Sequence, residues 1–459
     1  MSSTRNREEM KRLLSLLLLV CALAATTGFG GDDEVNEKST SPFMLEKSEQ
    51  VVKTEAGEVR VVRGFGPASM LERGAFSISS MHIGFILMEP KTLFIPQYLD
   101  SSLILFVHRG EAKVGWIYKD ELVEKQLKMG DIIHIPAGST FYMINTSRGQ
   151  RLHVICSIDN SESLGDGPYQ SFFIGGGRRP ASVLAGFHMS TLTTAFNITE
   201  EEMQMMLGSQ YGGPIVLLTS EVAERMDRRR HRRDTRRKGM LDVFYDEVQQ
   251  VEEGVWEWRK LLSNVLGGSS GDRRNKNKGG PVRAPEPYNL YDRNPDFRND
   301  YGWTLALDEH DYHPLKHSDI GVYIVNLTAG SMLAPHVNPR ATEYGVVTRG
   351  SGTIQVVFPN GTSAMNAEVA EGDVFWIPRY FPFCQIASRS GPLEFFGFTT
   401  SARRNRPQFL VGASSVLSKM MGPELAVGFG VTEEQLKEVV NAQREGVILP
   451  SRPLHERRG

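Results

Sequence analysis

The stretch GSMLAPHVNPRATEYGVVTRG, Gly330 to Gly350, places an imidazole and a carboxylate where a metal-binding β-barrel would use them: His336 and Glu343, bracketed by two glycines. Residues two apart on a strand share a face, so a second imidazole is expected two positions after His336. Asn338 stands there instead. Further along, Tyr380 and Cys384 offer a phenol and a thiol. Thiolate and imidazole together suit Cu or Zn, so a residual site of His336, Cys384 and Glu343, with Tyr380 nearby, is one reading. The other makes His336 a hydrogen-bonded histidine at a barrel mouth and Asn338 and Glu343 loop-holding groups. In that reading Glu343 pairs with Arg340 or Arg379, and Cys384 is a small buried apolar side chain. Alternation along a strand points residues 383 and 384 to opposite faces, unless Pro382 disturbs it.

Other reactive-looking stretches carry less. HDYHPLKH, His310 to His317, follows no ligand spacing and reads as a surface strand or loop entering the strand-rich stretch that follows it. IGGGRRP, Ile174 to Pro180, lacks the Lys-Ser/Thr of a phosphate loop and reads as a connector. No H-E-x-x-H motif is present.

The elements that must position these residues occur twice. GDIIHIPAG begins at Gly130 and GDVFWIPRY at Gly372, 242 residues later. VHRGEAKVGW (Val107–Trp116) matches VTRGSGTIQV (Val347–Val356) at an offset of 240, and FNITEEEM (Phe196–Met203) matches FGVTEEQL (Phe429–Leu436) at 233. Three landmarks in one order, at nearly constant offset, mark two copies of one unit. In the first copy, residues 79–88, 103–107, 113–118 and 131–135 are short, rich in Ile, Val and Phe, and bounded by Gly, Pro or Asp. Similar runs fill 320–398, and the pattern predicts antiparallel sandwiches or barrels. Each copy then closes with a Thr followed by acids and helically spaced apolar residues, at Thr199 and at Thr432, which predicts capped helices.

Composition fits a soluble globular chain. The 459 residues carry a formal charge of −2 and are 40% hydrophobic, enough for two or three cores and no basis for binding nucleic acid through the overall field. Arg5, Arg7, Lys11 and Arg12 precede an apolar run of 13 residues, Leu13 to Ala25. A basic flank, a run too short to span a bilayer and small residues at its end predict a signal peptide over 1–25, hence the secretory pathway and no membrane attachment afterwards. Cys21 falls in that segment, and Cys156 with Cys384 make no disulfide framework. Sequons stand at Asn145, Asn197, Asn326 and Asn360. Asn360, in the turn-like PNGT, is the best glycan acceptor, whereas Asn145 and Asn326 sit within or beside strand-like runs. Between the copies, residues 221–285 form a basic and polar linker with a helix-like stretch from Leu241 to Leu266. Nine of the fourteen residues from Arg225 to Lys238 are Arg or Lys. A solvated linker is the favoured reading of this run over an anionic-surface binder.

Taken together, the paired Gly-Asp…Ile-Pro strands, PHVNPRATEYGVVTRGSG, RPQFLVGASSVL and the paired TEE helices make the chain similar to the vicilin-like (7S globulin) seed storage proteins, which are bicupins. The resemblance covers residues 43–220 and 286–450. It implies a mainly β chain of two jelly-roll barrels, each followed by a helical arm. It also implies homotrimers joined through those arms, which can pair into hexamers, and a non-catalytic reserve in the protein storage vacuoles of seeds.

Metal-using members of the wider cupin group have three histidines and a carboxylate in G-x5-H-x-H…E and G-x5-P-x-G-x2-H-x3-N. In the first copy Gly130, Pro136, Gly138 and Asn145 match, Phe141 holds the histidine place, and Pro96, Gln97, Tyr98 and Leu99 occupy the region of His336. The carboxylate place falls near Leu103 and Ile104, so this barrel reads as apolar. In the second copy Phe383 holds the last histidine place and Cys384 follows it. Losing two of three imidazoles removes most of the ligand energy, which argues against an enzyme. The alternatives are a Cu- or Zn-binding bicupin, a small-anion-binding one and, more remotely, a metal-dependent oxidase or decarboxylase.

Overall fold

A computed structural model describes residues 42–45, 48–64, 81–219 except 162 and 166, 221, 222, 225, 284–403 and 405–450. The predicted signal peptide and nearly all of the linker lie outside the described residues. The architecture is two jelly-roll barrels joined back to back, each followed by short helices.

The first barrel is built from two antiparallel sheets. One runs in the order Ser48–Thr54, Gly57–Val62, Met81–Met88, Leu152–Asp159, Ser102–Arg109, Asp131–Ile135, Tyr288–Asn289. The facing sheet runs Ser171–Phe173, Thr92–Leu99, Phe141–Asn145, Ala112–Tyr118, Glu121–Leu127. The run SLILFVHR looks hydrophobic throughout because both of its faces are covered. Leu103, Leu105 and Val107 point into the barrel core, while Ile104 and Phe106 point into a second core shared with the other barrel. Period-2 alternation with two apolar faces is how a strand buried on both sides is written. The strand 131–135 follows the same rule and is buried at all five positions. Its Gly-Asp entry is a turn: Gly130 has φ 90°, and the Asp131 carboxylate accepts from Lys128 N at 2.7 Å.

In the second barrel, residues 343–357 form one continuous strand. Its first half pairs with Leu393–Thr399 and Val374–Ile377, and its second half with Ser363–Ala370 and Pro382–Ala387. One strand thus belongs to both sheets of the barrel. Ser331–Val337 pairs with 382–387, facing the first half across the interior.

Two features fasten the barrels together. Phe106 of the first stacks on Phe396 of the second, ring centroids 3.9 Å apart and planes within 9°. Each barrel also pairs with the segment that precedes the other. Leu45 N donates to Val374 O at 2.8 Å, and Trp376 N donates to Phe43 O at 3.0 Å. Reciprocally, Tyr288 and Asn289 pair with Ile132 and Asp131, and Leu290 N donates to Gly130 O at 2.9 Å. The two strands receiving these segments are the repeated Gly-Asp strands, and the segments are themselves a repeat, PFML and PYNL. This exchange satisfies the outer edge of each strand, which would otherwise present unpaired backbone groups.

The helices start where the sequence places them. Thr199 and Thr432 both form capping boxes, with Glu202 and Gln435 as the reciprocal partners. The arms they cap carry exposed apolar side chains: Phe196, Met205 and Met206 in the first, Val427, Phe429 and Val439 in the second.

Candidate functional site in the second barrel

The strand 331–337 and the start of the strand 343–357 converge on a cavity of about 360 Å³ at the mouth of the second barrel. His336, Asn338 and Glu343 line it, with Tyr323, Asn405 and Leu333. His336 is 2% exposed, and its ring lies 4.1 Å from that of Phe383 and 5.3 Å from that of Phe409. Its Nδ1 contacts Ala334 O at 2.8 Å. A carbonyl only accepts, so Nδ1 carries the proton and Nε2 a lone pair. Burial holds this imidazole neutral, its pKa lowered to about 4.

Glu343 is also buried, 6% exposed. Its Oε2 accepts from Asn338 Nδ2 at 2.7 Å, and the Tyr323 hydroxyl is close enough to hydrogen-bond the same carboxyl. Burial outweighs both bonds and raises the carboxyl pKa to about 7. The amides form a chain whose direction the carboxylate fixes. Asn338 turns its nitrogen to Glu343, its Oδ1 accepts from Asn405 Nδ2 at 3.1 Å, and Asn405 Oδ1 is left buried with no partner among the described residues.

The sequence-derived metal set is not brought together. Phe383 pairs with His336, which puts Cys384 on the opposite face, opposite Gln355. There Cys384 is buried, its Sγ is 3.6 Å from Gln355 Oε1, and burial pushes its thiol up to about 11, far from a thiolate. Alternation therefore holds through the strand despite Pro382. Tyr380 sits in a tight turn with φ 76°, 61% exposed, beneath the Arg379 guanidinium. That leaves His336 and Glu343 as ligands without a third, and no group of three or more His, Cys, Asp or Glu side chains among the described residues is placed to hold a metal. Nor does Glu343 form an ion pair with Arg340 or Arg379 among the described residues; Asn338 is its partner.

The first barrel offers a sharper contrast. Gln97 pairs with Phe141 as His336 pairs with Phe383, so Gln97 is the counterpart of His336. It is fully buried, and neither amide atom has a partner among the described residues. Around it the barrel is filled by Phe94, Trp116, Phe141 and Met143.

Of the sequons, Asn360 lies in an exposed turn and Asn197 is exposed at a helix C-terminus with φ 53°. Asn326 is half-buried with its Nδ2, the atom a glycan would bond, donating to Glu394 at 2.9 Å. Asn145 is buried and its Nδ2 is shared among three carbonyls. HDYHPLKH is neither strand nor plain loop. His313–His317 forms a 3-10 turn that packs Leu315 into the core, and His317 lies 6.3 Å from His134 of the first barrel.

The Cupin family model matches residues 70–204 and 288–437, one match for each barrel. A vicilin-like seed storage protein of Arabidopsis thaliana is 53% identical over 422 residues, covering 89% of this chain and 80% of the relative. The chain belongs to the vicilin-like seed storage proteins of the cupin family. Its fold is that of solved vicilins. The vicilin of Corylus avellana (hazelnut) superposes with a TM-score of 0.70 at 24% identity, covering 90% of this chain and 99% of that one. The vicilin of Solanum melongena, whose crystal structure revealed different anionic ligands in structurally similar pockets, gives 0.71 at 20% identity, covering 90% and 99%. This vicilin-like chain keeps one imidazole and one carboxylate of the cupin metal motif in its second barrel, where Asn338 and Phe383 hold the other two ligand places, and none of the four in its first.

Proposed function

We propose that this seed storage globulin is a non-catalytic nutrient reservoir, assembled as a homotrimer through its helical arms and held in protein storage vacuoles. The observation that carries the non-catalytic reading is the replacement of ligands in both barrels: Gln97 and Phe141 in one, Asn338 and Phe383 in the other. A lone imidazole and a lone carboxylate do not fix a transition metal with an open position for substrate. Assembly is supported by the apolar side chains that the arms expose, Phe187, Phe196 and Met205 on one, Met420, Val427 and Phe429 on the other. Such patches, one after each copy of the repeat, suit head-to-tail contacts that close into a ring. Delivery through the secretory pathway rests on the basic and apolar N-terminus. No helix among the described residues is long and apolar enough to cross a membrane.

A second reading, a store that also holds a small ligand, is favoured by the second-barrel cavity with its buried polar floor. The anions in the pockets of the Solanum melongena vicilin make a small anion the first class to test. Protein purified from seeds is expected to scatter light as three chains, to carry no stoichiometric metal and to fractionate with storage vacuoles. A monomer, or a stoichiometric Cu or Zn ion lost in His336→Ala, would overturn the corresponding part.

A further inference from the structure

The polar groups at the floor of the second-barrel cavity nearly all accept hydrogen bonds. His336 Nε2 presents a lone pair because Nδ1 is committed to Ala334 O. Glu343 has acceptor capacity beyond the bond from Asn338. Asn405 Oδ1 is buried and unpartnered among the described residues. A buried acceptor without a donor costs free energy, so this floor is complementary to a donor-rich ligand. Charge points the same way. Arg293 lines the cavity but is taken by Asp296 at 3.0 Å and Asp311 at 2.9 Å. The lining also holds Arg403, with Asp308 and Glu343 as its other two acids. The apolar part of the wall comes from Ala306, Leu307, Val322, Val325, Leu333 and Pro407, beside the hydroxyls of Thr304, Thr399 and Ser401.

We infer that the second-barrel cavity binds a small organic primary ammonium compound, its –NH3+ set among Glu343, His336 Nε2 and Asn405 Oδ1 and its apolar body against Leu333, Val322 and Val325. An ammonium group carries three N–H donors, one for each acceptor, and brings Glu343 the counter-charge that its burial lacks. A metal ion would find only two protein ligands here, and a carboxylate ligand would face Glu343 and two further acceptors. The inference deepens the ligand-holding reading and departs from its anionic form.

The test is calorimetric titration of the full chain with phenethylammonium and, separately, with 3-phenylpropionate, which has a similar body and the opposite charge. The expected result is saturable binding of the ammonium compound alone. Glu343→Gln should weaken it by about thirtyfold, the low end of the cost of removing one member of a buried charge pair. In the unsubstituted protein, binding should also weaken from pH 8 to pH 6 as Glu343 takes up its proton, and the pH 8 to 6 difference should shrink in Glu343→Gln. Of the other titratable groups, Tyr323 hydrogen-bonds Glu343, while His336, Arg293, Asp296, Asp308, His310, Asp311 and Arg403 share the cavity lining. Binding of 3-phenylpropionate in preference, lost in Arg403→Ala, would overturn the inference in favour of an anion site. No binding of either compound, or ammonium binding unchanged by both pH and Glu343→Gln, would overturn it outright. Because the pH arm uses the native sequence, a misfolded variant does not leave the question open.

Discussion

Replacing Glu343 by Gln is expected to stabilise the second barrel at pH 8 and to do nothing for it at pH 4.5. The native carboxyl is 6% exposed, and its pKa is raised from 4.5 to about 7 because burial disfavours the charged form more than Asn338 and Tyr323 favour it. A raised acid binds its proton more tightly when folded than when unfolded. Between pH 4.5 and 7 the unfolded chain ionises while the native chain does not, so stability falls across that window and levels off above it. The difference of about 2.5 pH units corresponds to about 3 kcal/mol at pH 8. Glutamine keeps the acceptor for Asn338 Nδ2 and never ionises, so it escapes the loss. For a unit of this size, about 3 kcal/mol shifts Tm by roughly 6–12 °C. Paired thermal and denaturant melts of the two proteins at pH 4.5 and pH 8 measure it. An equal effect at both pH values, or no gain at pH 8, would refute the claim that an ionised Glu343 is held in a desolvated cavity.

His336 gives the opposite slope. Its pKa is lowered to about 4, so its stabilisation is complete above pH 6.5 and is lost as pH falls toward 4, worth about 3 kcal/mol over the window. His336→Asn should therefore cost most near pH 7 and least near pH 4.5, read from the same melts. Phe106→Ala removes a fully buried ring stacked on Phe396, and about 3–5 kcal/mol is expected to be lost, with the two barrels melting in separate calorimetric transitions. Trimming the chain before Ser48, which removes the Phe43–Leu45 pairing with the strand 374–377, should lower the melting temperature of the second barrel more than that of the first. A melt in which the two fall together would contradict that assignment.

The double unit, its strands and its capped helices were legible in the sequence because each rests on local spacing: Gly-Asp before a buried strand, Thr before acids, apolar residues alternating. His336 and Glu343 were legible as members of one cavity because they flank the short connection between two consecutive strands. Cys384 was not, since its position turned on whether Pro382 would disturb the alternation of its strand, and the strand runs regularly through it with Phe383 facing His336. Tyr380 looked close in sequence, but a positive-φ turn throws it outward. Gln97 was passed over because an amide is a poor metal ligand. Its importance lies in being buried without partners, which only packing reveals. The PFML and PYNL segments were the largest omission. They are four residues long, and their meaning depends on pairing with a strand more than 150 positions away.

The storage assignment is tested most directly by quantifying this polypeptide, with isotope-labelled peptides, in developing seeds, dry seeds and seedlings after germination. A store should accumulate late in seed filling, rank among the abundant proteins of the dry seed and disappear as the seedling grows. A trace protein at constant level through all three stages would contradict it.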